Sequence, residues 1–570
     1  MPAHGFTLLQ ETTVDELAGL ARLWRHDASG GRVLSFLNKD ENKVFGVSFR
    51  TPPADSTGVA HILEHSVLCG SEKYPVKEPF VELLKGSLQT FLNAFTYPDK
   101  TCYPVASANL HDFYNLMDVY LDAVFFPRID KSIFQQEGWH LEPDEKTGEL
   151  IFKGVVYNEM KGAFSAPESV LSRYCLHALF PDTVYALESG GDPRDIPALR
   201  YDDFLAFHRG YYHPANARFF FWGDDPEPER LARLGATLDR FATTPRPDVA
   251  ASAISLQSPL GETRRLTVPF AASEGEKGMV VVNWLGPDVM DVQLGLAFRM
   301  LEHMLLGMPA SPLRRALIES GLGEDLAGQG LETELRQLTF DAGLKGVAVE
   351  DADRVETLIL DTLRDLAKNG LPADVVEAAV NSVEFALREN NTGRFPVGLS
   401  VMLRALTTWL HDGDPLAPLR FEKPLQAIKD AVARGERYFE ELLTRWLIDN
   451  RHRVTVVLEP DAQQADRLEQ EEAQRLAAVV AAMSADERAR VDAELLALRD
   501  WQASADSPED LASIPRLGLA DLPLENQRIP TERLEPPQPE FFFHPLPTAG
   551  IVYAEAAFAL EAVPEDLLPM

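Results

Sequence analysis

Two spacing patterns of hydrophobic residues alternate along the first 245 residues. Residues 32–37 and 43–50 alternate between apolar and polar positions as two short strands, and shorter strand-like runs lie at 90–95 and 217–223. Apolar residues also recur with a helical period, in the segments near 57–70, 76–89, 109–125 and 155–179. This mixture predicts an α+β domain over residues 1–245, with a proline-containing linker at its end.

A second set of elements begins near residue 260 and follows a similar order. Residues 263–268 and 278–284 are typical of strands, and residues 292–306 have the period of a helix. Further strands are predicted at 340–349 and 453–458, with helices between them. The pattern therefore predicts a second α+β domain over residues 260–460.

The last 110 residues differ in composition. Residues 461–503 are rich in Ala, Glu, Arg, Gln and Leu, and Ser484 with Glu487 forms a capping box between two helical runs. We therefore predict a helical hairpin linker over residues 461–525. Residues 550–560 alternate like a strand, so residues 526–570 are predicted to begin a third domain.

A short internal repeat supports the two-unit organisation. Residues 61–70 and 299–307 both contain Leu-Glu-His after a predicted strand. Aligning them places Arg299 opposite His61, Glu302 opposite Glu64 and His303 opposite His65. The second copy lacks one histidine, so we expect its domain to bind no metal.

Composition narrows the class of protein. Of the 570 residues, 45% are hydrophobic and 25% are charged, which excludes disorder over most of the chain. The net charge of −34 argues against nucleic-acid binding and is compatible with basic peptides as partners. No apolar run reaches the roughly 18 residues that cross a bilayer, so no membrane contact is expected. Three cysteines without a CxxC pair, and an N-terminus unlike a signal or transit peptide, predict a cytoplasmic protein.

The strongest chemical signal is His61-Ile-Leu-Glu64-His65. On a helix, His61 and His65 lie one turn apart on the same face, where two imidazoles can bind one zinc ion. Glu64 borders that face and can accept a proton from an activated water molecule. The order HxxEH is the inverse of the common zinc-peptidase order HExxH and is typical of the inverzincins.

Two histidines need a third protein ligand. Glu137 and His140 in Gln-Glu-Gly-Trp-His, and Glu159 in Tyr-Asn-Glu-Met-Lys, are the candidates. Spacing alone does not choose between Glu137 and Glu159.

Four stretches resemble the pitrilysin/insulysin-like zinc metallopeptidases, and are most similar to the presequence protease branch. They are residues 58–71 around the HxxEH motif, residues 91–99, residues 136–139 and residues 153–162. The resemblance implies that Glu159 is the third ligand of one zinc ion and that Glu137 lies behind the ligands. It also implies that Asn93 and Ala94 belong to an edge strand that aligns the backbone of an unstructured peptide substrate.

Members of this branch have two halves that close around the peptide, and the second half supplies an arginine and a tyrosine to the site. The chain resembles the first half, so we expect either a truncated product, which we favour, or a polypeptide that supplies the C-terminal half. The implied function is a zinc metalloendopeptidase that degrades short unfolded peptides. The alternative is a non-catalytic subunit that binds zinc and peptide and needs a second chain for activity.

Overall fold

The computed structural model describes residues 4–525, 528–534, 540–564 and 567. No helix in these ranges is long and apolar enough to cross a membrane. The strands of the first half are β1 (Phe6–Val14), β2 (Gly19–His26), β3 (Arg32–Leu37), β4 (Lys43–Arg50), β5 (Gln89–Leu92), β6 (Phe95–Thr96), β7 (Lys100–Ser107), β8 (His140–Pro143), β9 (Leu150–Lys153) and β10 (Ala217–Gly223). The remaining strands are β11 (Arg264–Ala271), β12 (Gly278–Asp288), β13 (Asp325–Ala327), β14 (Leu331–Glu332), β15 (Gln337–Val347), β16 (Arg453–Asp461), β17 (Glu532–Leu534) and β18 (Phe541–Phe543).

Helices cover both faces of the sheets that these strands form. The first ten are α1 (Val59–Val67), α2 (Pro79–Leu84), α3 (Leu110–Phe125), α4 (Lys131–Glu137), α5 (Val155–Ala163), α6 (Pro167–Leu179), α7 (Tyr201–Tyr211), α8 (Glu227–Leu238), α9 (Val292–Glu302) and α10 (Pro312–Glu319). They are followed by α11 (Ala352–Asn369), α12 (Ala373–Glu389), α13 (Val397–Trp409), α14 (Glu422–Ala433), α15 (Tyr438–Leu443), α16 (Gln464–Ala482), α17 (Ala485–Ala503) and α18 (Pro508–Ser513). The α+β class is confirmed.

Two mixed sheets repeat one connectivity. The first has the order β1-β2-β3-β10-β4-β7-β5, and the second has the order β11-β16-β12-β15-β13. In each sheet one pair is parallel, β3 with β10 and β11 with β16, and the two strands beyond that pair are antiparallel. A short extra strand, β6 or β14, pairs beside the last one in each sheet. The repeat predicted from the Leu-Glu-His match is thus also present in the strand order.

The central strands are apolar along their whole length because both faces of each sheet are covered. Every residue of β4, β7 and β10 is buried. Phe45, Val47 and Phe49 belong to the core that supports the helices α1 and α3. This packing fixes the strand β4, from which the chain turns into α1.

Each repeat contributes a helix to the other repeat's sheet. The apolar face of α6 packs with strands of the second sheet, and the apolar face of α13 packs with strands of the first. Glycine permits the close approach of α13, since a Cβ at Gly46 would lie 2.3 Å from Sδ of Met402. The two sheets are therefore mutually dependent, and the limits 1–245 and 260–460 stay predictions for where the sequence divides.

The predicted hairpin is present as α16 and α17. Ser484 caps α17, its hydroxyl accepting from the Glu487 amide while the Glu487 carboxylate accepts from the Ser484 amide. The hairpin packs against the first repeat, where Leu495 and Leu498 are buried. Residues 155–179, in contrast, form two helices rather than one, because α5 ends at Ala163 and α6 begins at Pro167.

The expected strand at 550–560 is wrong. The described residues 551–559 have no regular secondary structure, and Val552 and Phe558 are more than 80% exposed. An alternating segment becomes a strand only beside a hydrogen-bonding neighbour, and no described strand pairs with this one. Other parts of the predicted third domain, residues 526–527, 535–539, 565–566 and 568–570, lie outside the described residues.

Candidate metal site

Helix α1 presents His61, Glu64 and His65 on one side and buries Ile62, Leu63 and Val67 on the other. The two imidazole rings are 4.9 Å apart between centroids and stand at 82° to each other. The apolar residues belong to the core beneath the first sheet, so the helix is anchored by burial and its histidines stay accessible.

Helix α5 brings Glu159 to the same place. Its Oε2 lies 3.9 Å from Nε2 of His61 and 3.7 Å from Nε2 of His65. Donor atoms of the three residues lie within 4.8 Å of one another. A tetrahedral zinc ion with bonds of about 2.1 Å spaces its donors about 3.4 Å apart. The three side chains therefore fit one zinc ion with small adjustments, and Glu159, rather than Glu137, is the carboxylate beside both histidines.

A loop that the sequence analysis missed orients His61. Nδ1 of His61 lies 3.0 Å from the carbonyl oxygen of Gly190, which leaves Nε2 for a metal. Gly58, just before α1, has a φ of 71°, and a Cβ there would lie 2.7 Å from Cα of Gly191. The Gly190–Gly191 pair is a turn signal in the sequence, but nothing in the sequence places it against Gly58.

Glu137 contacts His65 from behind. Its Oε2 lies 3.3 Å from Nδ1 of His65, and its other oxygen accepts a hydrogen bond from Gln136. Burial alone would lower the pKa of His65, but the Glu137 hydrogen bond and the nearby carboxylates raise it overall. The expected position of Glu137 behind the ligands agrees with this geometry. His140 instead bonds with the carbonyl oxygen of Gln135 at 2.8 Å.

Glu64 is buried beside the histidines, on the residue before His65. Its charge contributes to the raised pKa of His65, after burial and Glu137. Three buried tyrosines also sense this charge: burial is the main cause of their raised pKa values, and Glu64 adds to it at Tyr103, Tyr120 and Tyr212. A carboxylate held in this apolar setting has the chemistry of a general base.

Asn93 and Ala94 lie at the edge of the first sheet, in the gap between β5 and β6. The side chain of Asn93 is exposed, Ala94 is buried, and the carbonyl oxygen of Asn93 accepts a hydrogen bond from the hydroxyl of Tyr120 at 3.2 Å. The expected edge strand is therefore interrupted at these two residues. An edge of this kind can accept an extended peptide as a further strand.

We expect Gly58→Ala to destabilise the chain by about 2 kcal/mol or more, since alanine disfavours this backbone region and its Cβ would meet Gly191. Chemical denaturation measures the loss. Gly210→Ala is the matched control, because Gly210 lies in α7 with open space around it and should tolerate alanine or gain stability. Equal stability of the Gly58 variant and the wild type would contradict the close contact.

Known proteins share this fold and this site-bearing segment. Family models match "Insulinase (Peptidase family M16)" at residues 49–149 and "Peptidase M16 inactive domain" at 198–383. A third model, for the region associated with subfamily C of the same peptidases, matches residues 458–570. The first of these spans α1, and the second falls largely in the repeat that lacks a histidine. The class is thus a two-repeat peptidase fold. The chain belongs to the insulinase family of peptidases, family M16.

Curated relatives match over nearly the whole chain. Presequence protease 1 of Arabidopsis thaliana is 48% identical over 99% of this chain and 53% of its own length. Protein HypA of Clostridium perfringens is 41% identical, over 99% of this chain and 58% of its own length. The mitochondrial presequence protease of Xenopus laevis is 36% identical, over 99% and 55%. The chain therefore spans about half the length of these relatives.

Solved structures agree on the fold. The M16 inactive domain from Pseudomonas fluorescens superposes with a TM-score of 0.58 at 15% identity, covering 77% of this chain and 98% of that one. Pitrilysin superposes with a TM-score of 0.57 at 16% identity, covering 83% of this chain and 50% of its own. The expected pitrilysin-like fold is confirmed.

Proposed function

We propose that this chain is the zinc-binding part of a metalloendopeptidase that degrades short unfolded peptides. One observation carries the proposal: the helices α1 and α5 bring His61, His65 and Glu159 within 4.8 Å of one another. Two imidazoles and a carboxylate are the donor set of catalytic zinc sites, which keep a fourth position open. Relatives named presequence proteases support the peptide substrate.

The side chains divide the work. Zinc, when bound, would supply Lewis-acid activation of a water molecule. The Glu64 carboxylate would accept the proton of that water and later pass it to the leaving amine. The sheet edge at Asn93 and Ala94 would hold the substrate backbone in an extended form beside α1. Glu137 would keep His65 oriented through Nδ1.

A second candidate function follows from the length of the relatives. Because this chain spans about half of each of them, it could bind zinc and peptide without turnover until a C-terminal-half polypeptide joins it. Glu64 is present, which favours an enzyme over a dedicated binding subunit. Peptidase assays with and without a second half distinguish the two functions.

The cytoplasmic location stays a prediction. The printed names of two relatives place them in chloroplasts or mitochondria, and in mitochondria. Fractionation of cells that express the natural protein would test the location.

We expect purified wild-type chain to contain about one zinc ion, and His65→Ala to contain almost none, because a catalytic site with three protein ligands loses most of its affinity with one of them. Elemental analysis after dialysis measures this. His111→Ala is the control, since His111 is exposed and lies outside the site. Equal zinc in the His65 variant and the wild type would overturn the proposed ligand set, and zinc loss in His303→Ala would contradict a metal-free second repeat.

A further inference from the structure

The helical hairpin touches each of the three elements that carry or orient the metal ligands. These elements are α5 with Glu159, the loop at 188–195 that bonds His61, and α4 with Glu137. Nothing in the chemistry of the site requires a hairpin, since every ligand and the base come from residues 61–159. Its contacts with the site therefore ask for a physical explanation.

Helix α5 is weakly anchored by its own residues. Only Val156 and Tyr157 of its nine residues are buried, and no side chain caps its N-terminus at Gly154. Glu159 itself is about half exposed. A short helix with so little burial is held in place mainly by contacts from outside it.

Glu472 of α16 makes two such contacts with one carboxylate. The hydroxyl of Tyr157 donates to Oε1 of Glu472 at 3.0 Å, and Nζ of Lys161 lies 2.6 Å from its Oε2. Burial first, and then the Glu472 charge, raise the pKa of Tyr157, so its hydroxyl stays protonated and able to donate.

The positions on α5 explain what these contacts achieve. Tyr157 and Lys161 are four residues apart and share one face of the helix. Glu159 is two residues from each, about 200° around the axis, so it projects from the opposite face. Glu472 therefore grips the back of α5 while Glu159 points toward the histidines.

The other two elements are braced by the same hairpin. Nη1 of Arg475, in α16, donates to the carbonyl oxygen of Arg194 at 2.6 Å, in the loop that holds His61. In α17, Glu494 accepts from Gln135 at 3.0 Å and pairs with Lys131, while Gln502 donates to Gln136 at 3.1 Å. Those partners belong to α4, which carries Glu137.

We propose that Glu472 is a positioning residue for the metal site, acting through α5 on the carboxylate of Glu159, and that the hairpin is a brace for all three ligands. The inference rests on the proposed zinc site, because it concerns the affinity of that site. It assigns the hairpin a role inside this half of the molecule, separate from any role in connecting two halves.

The test measures zinc affinity by competition with a coloured chelator, using the full 570-residue chain. We expect Glu472→Ala to raise the zinc dissociation constant by about tenfold, the lower end of the effect of removing a group that orients a ligand. Glu472→Gln should give a smaller rise, because glutamine can still accept from Tyr157 but carries no charge for Lys161. Glu471→Ala is the matched control on an exposed neighbouring position of α16.

A second background shows whether the effect passes through Glu159. In a Glu159→Ala chain, adding Glu472→Ala should change zinc affinity by less than about twofold, because the ligand that Glu472 positions is already gone. A tenfold loss in both backgrounds would overturn the proposal, as would an unchanged affinity in the wild-type background. Absence of zinc binding by the wild type would instead contradict the proposed zinc site itself.

Discussion

Glu64→Gln is expected to retain the zinc content of the wild type while lowering peptide hydrolysis by about 10²–10⁴-fold, the usual contribution of a general base. Glutamine has nearly the same shape as glutamate but cannot accept the proton of an attacking water. Glu64 is buried beside His65 without being one of the three clustered donors, so the metal site should survive the change.

Turnover of an unstructured peptide, with zinc content measured on the same samples, checks this expectation. Glu145→Gln is the control, because Glu145 is an exposed loop residue remote from α1 in the sequence and is outside the metal cluster. Wild-type turnover in the Glu64 variant would show that another group takes the proton. Loss of zinc together with activity would show that Glu64 supports the site structurally.

Local pattern predicted most of the elements that carry the site. The alternation at 32–50 gave β3 and β4, and the period around His61 gave α1, because one buried face imposes one spacing on each element. The HxxEH order itself placed both histidines and Glu64 on one helix. These features depend on neighbours within a few residues, so the sequence contains them directly.

Contacts between distant residues were outside the reach of that pattern. Spacing left Glu137 and Glu159 as equal candidates, and only the packing of α4 and α5 against α1 puts Glu137 behind His65 and Glu159 in front of it. The bond from His61 to Gly190 spans 129 residues, and the contact of Tyr157 with Glu472 spans 315. No periodicity reports such pairs.

The exchange of α6 and α13 between the sheets was missed for a related reason. Both helices have an apolar face, which predicts burial but does not name the partner. The strand expected at 550–560 shows the opposite error, since alternation there predicts a strand whose hydrogen-bonding neighbour is absent from the described residues. In both cases the tertiary partner, rather than the local pattern, decides the outcome.

The 570-residue chain alone is expected to bind zinc normally and to hydrolyse unstructured peptides far more slowly than a full-length relative. Zinc ligands and base all come from residues 61–159, so activation of water needs nothing further. Family resemblance implies that a second half contributes an arginine and a tyrosine facing the developing oxyanion. One such donor is typically worth about 10²–10³ in rate, so the deficit should be at least of that order.

Positioning adds to this deficit. In the described residues, the peptide has one sheet edge to bind, at Asn93 and Ala94, and enclosure of a substrate can contribute several kcal/mol to the rate by fixing its orientation. Adding a separately expressed C-terminal half of a relative should therefore restore part of the activity without changing zinc content. The decisive measurement is the specific activity of the zinc-loaded chain with and without that half. A chain that alone equals a full-length relative on the same peptide would show that the sheet edge and the three ligands suffice, and that the second half acts elsewhere than in the chemical step.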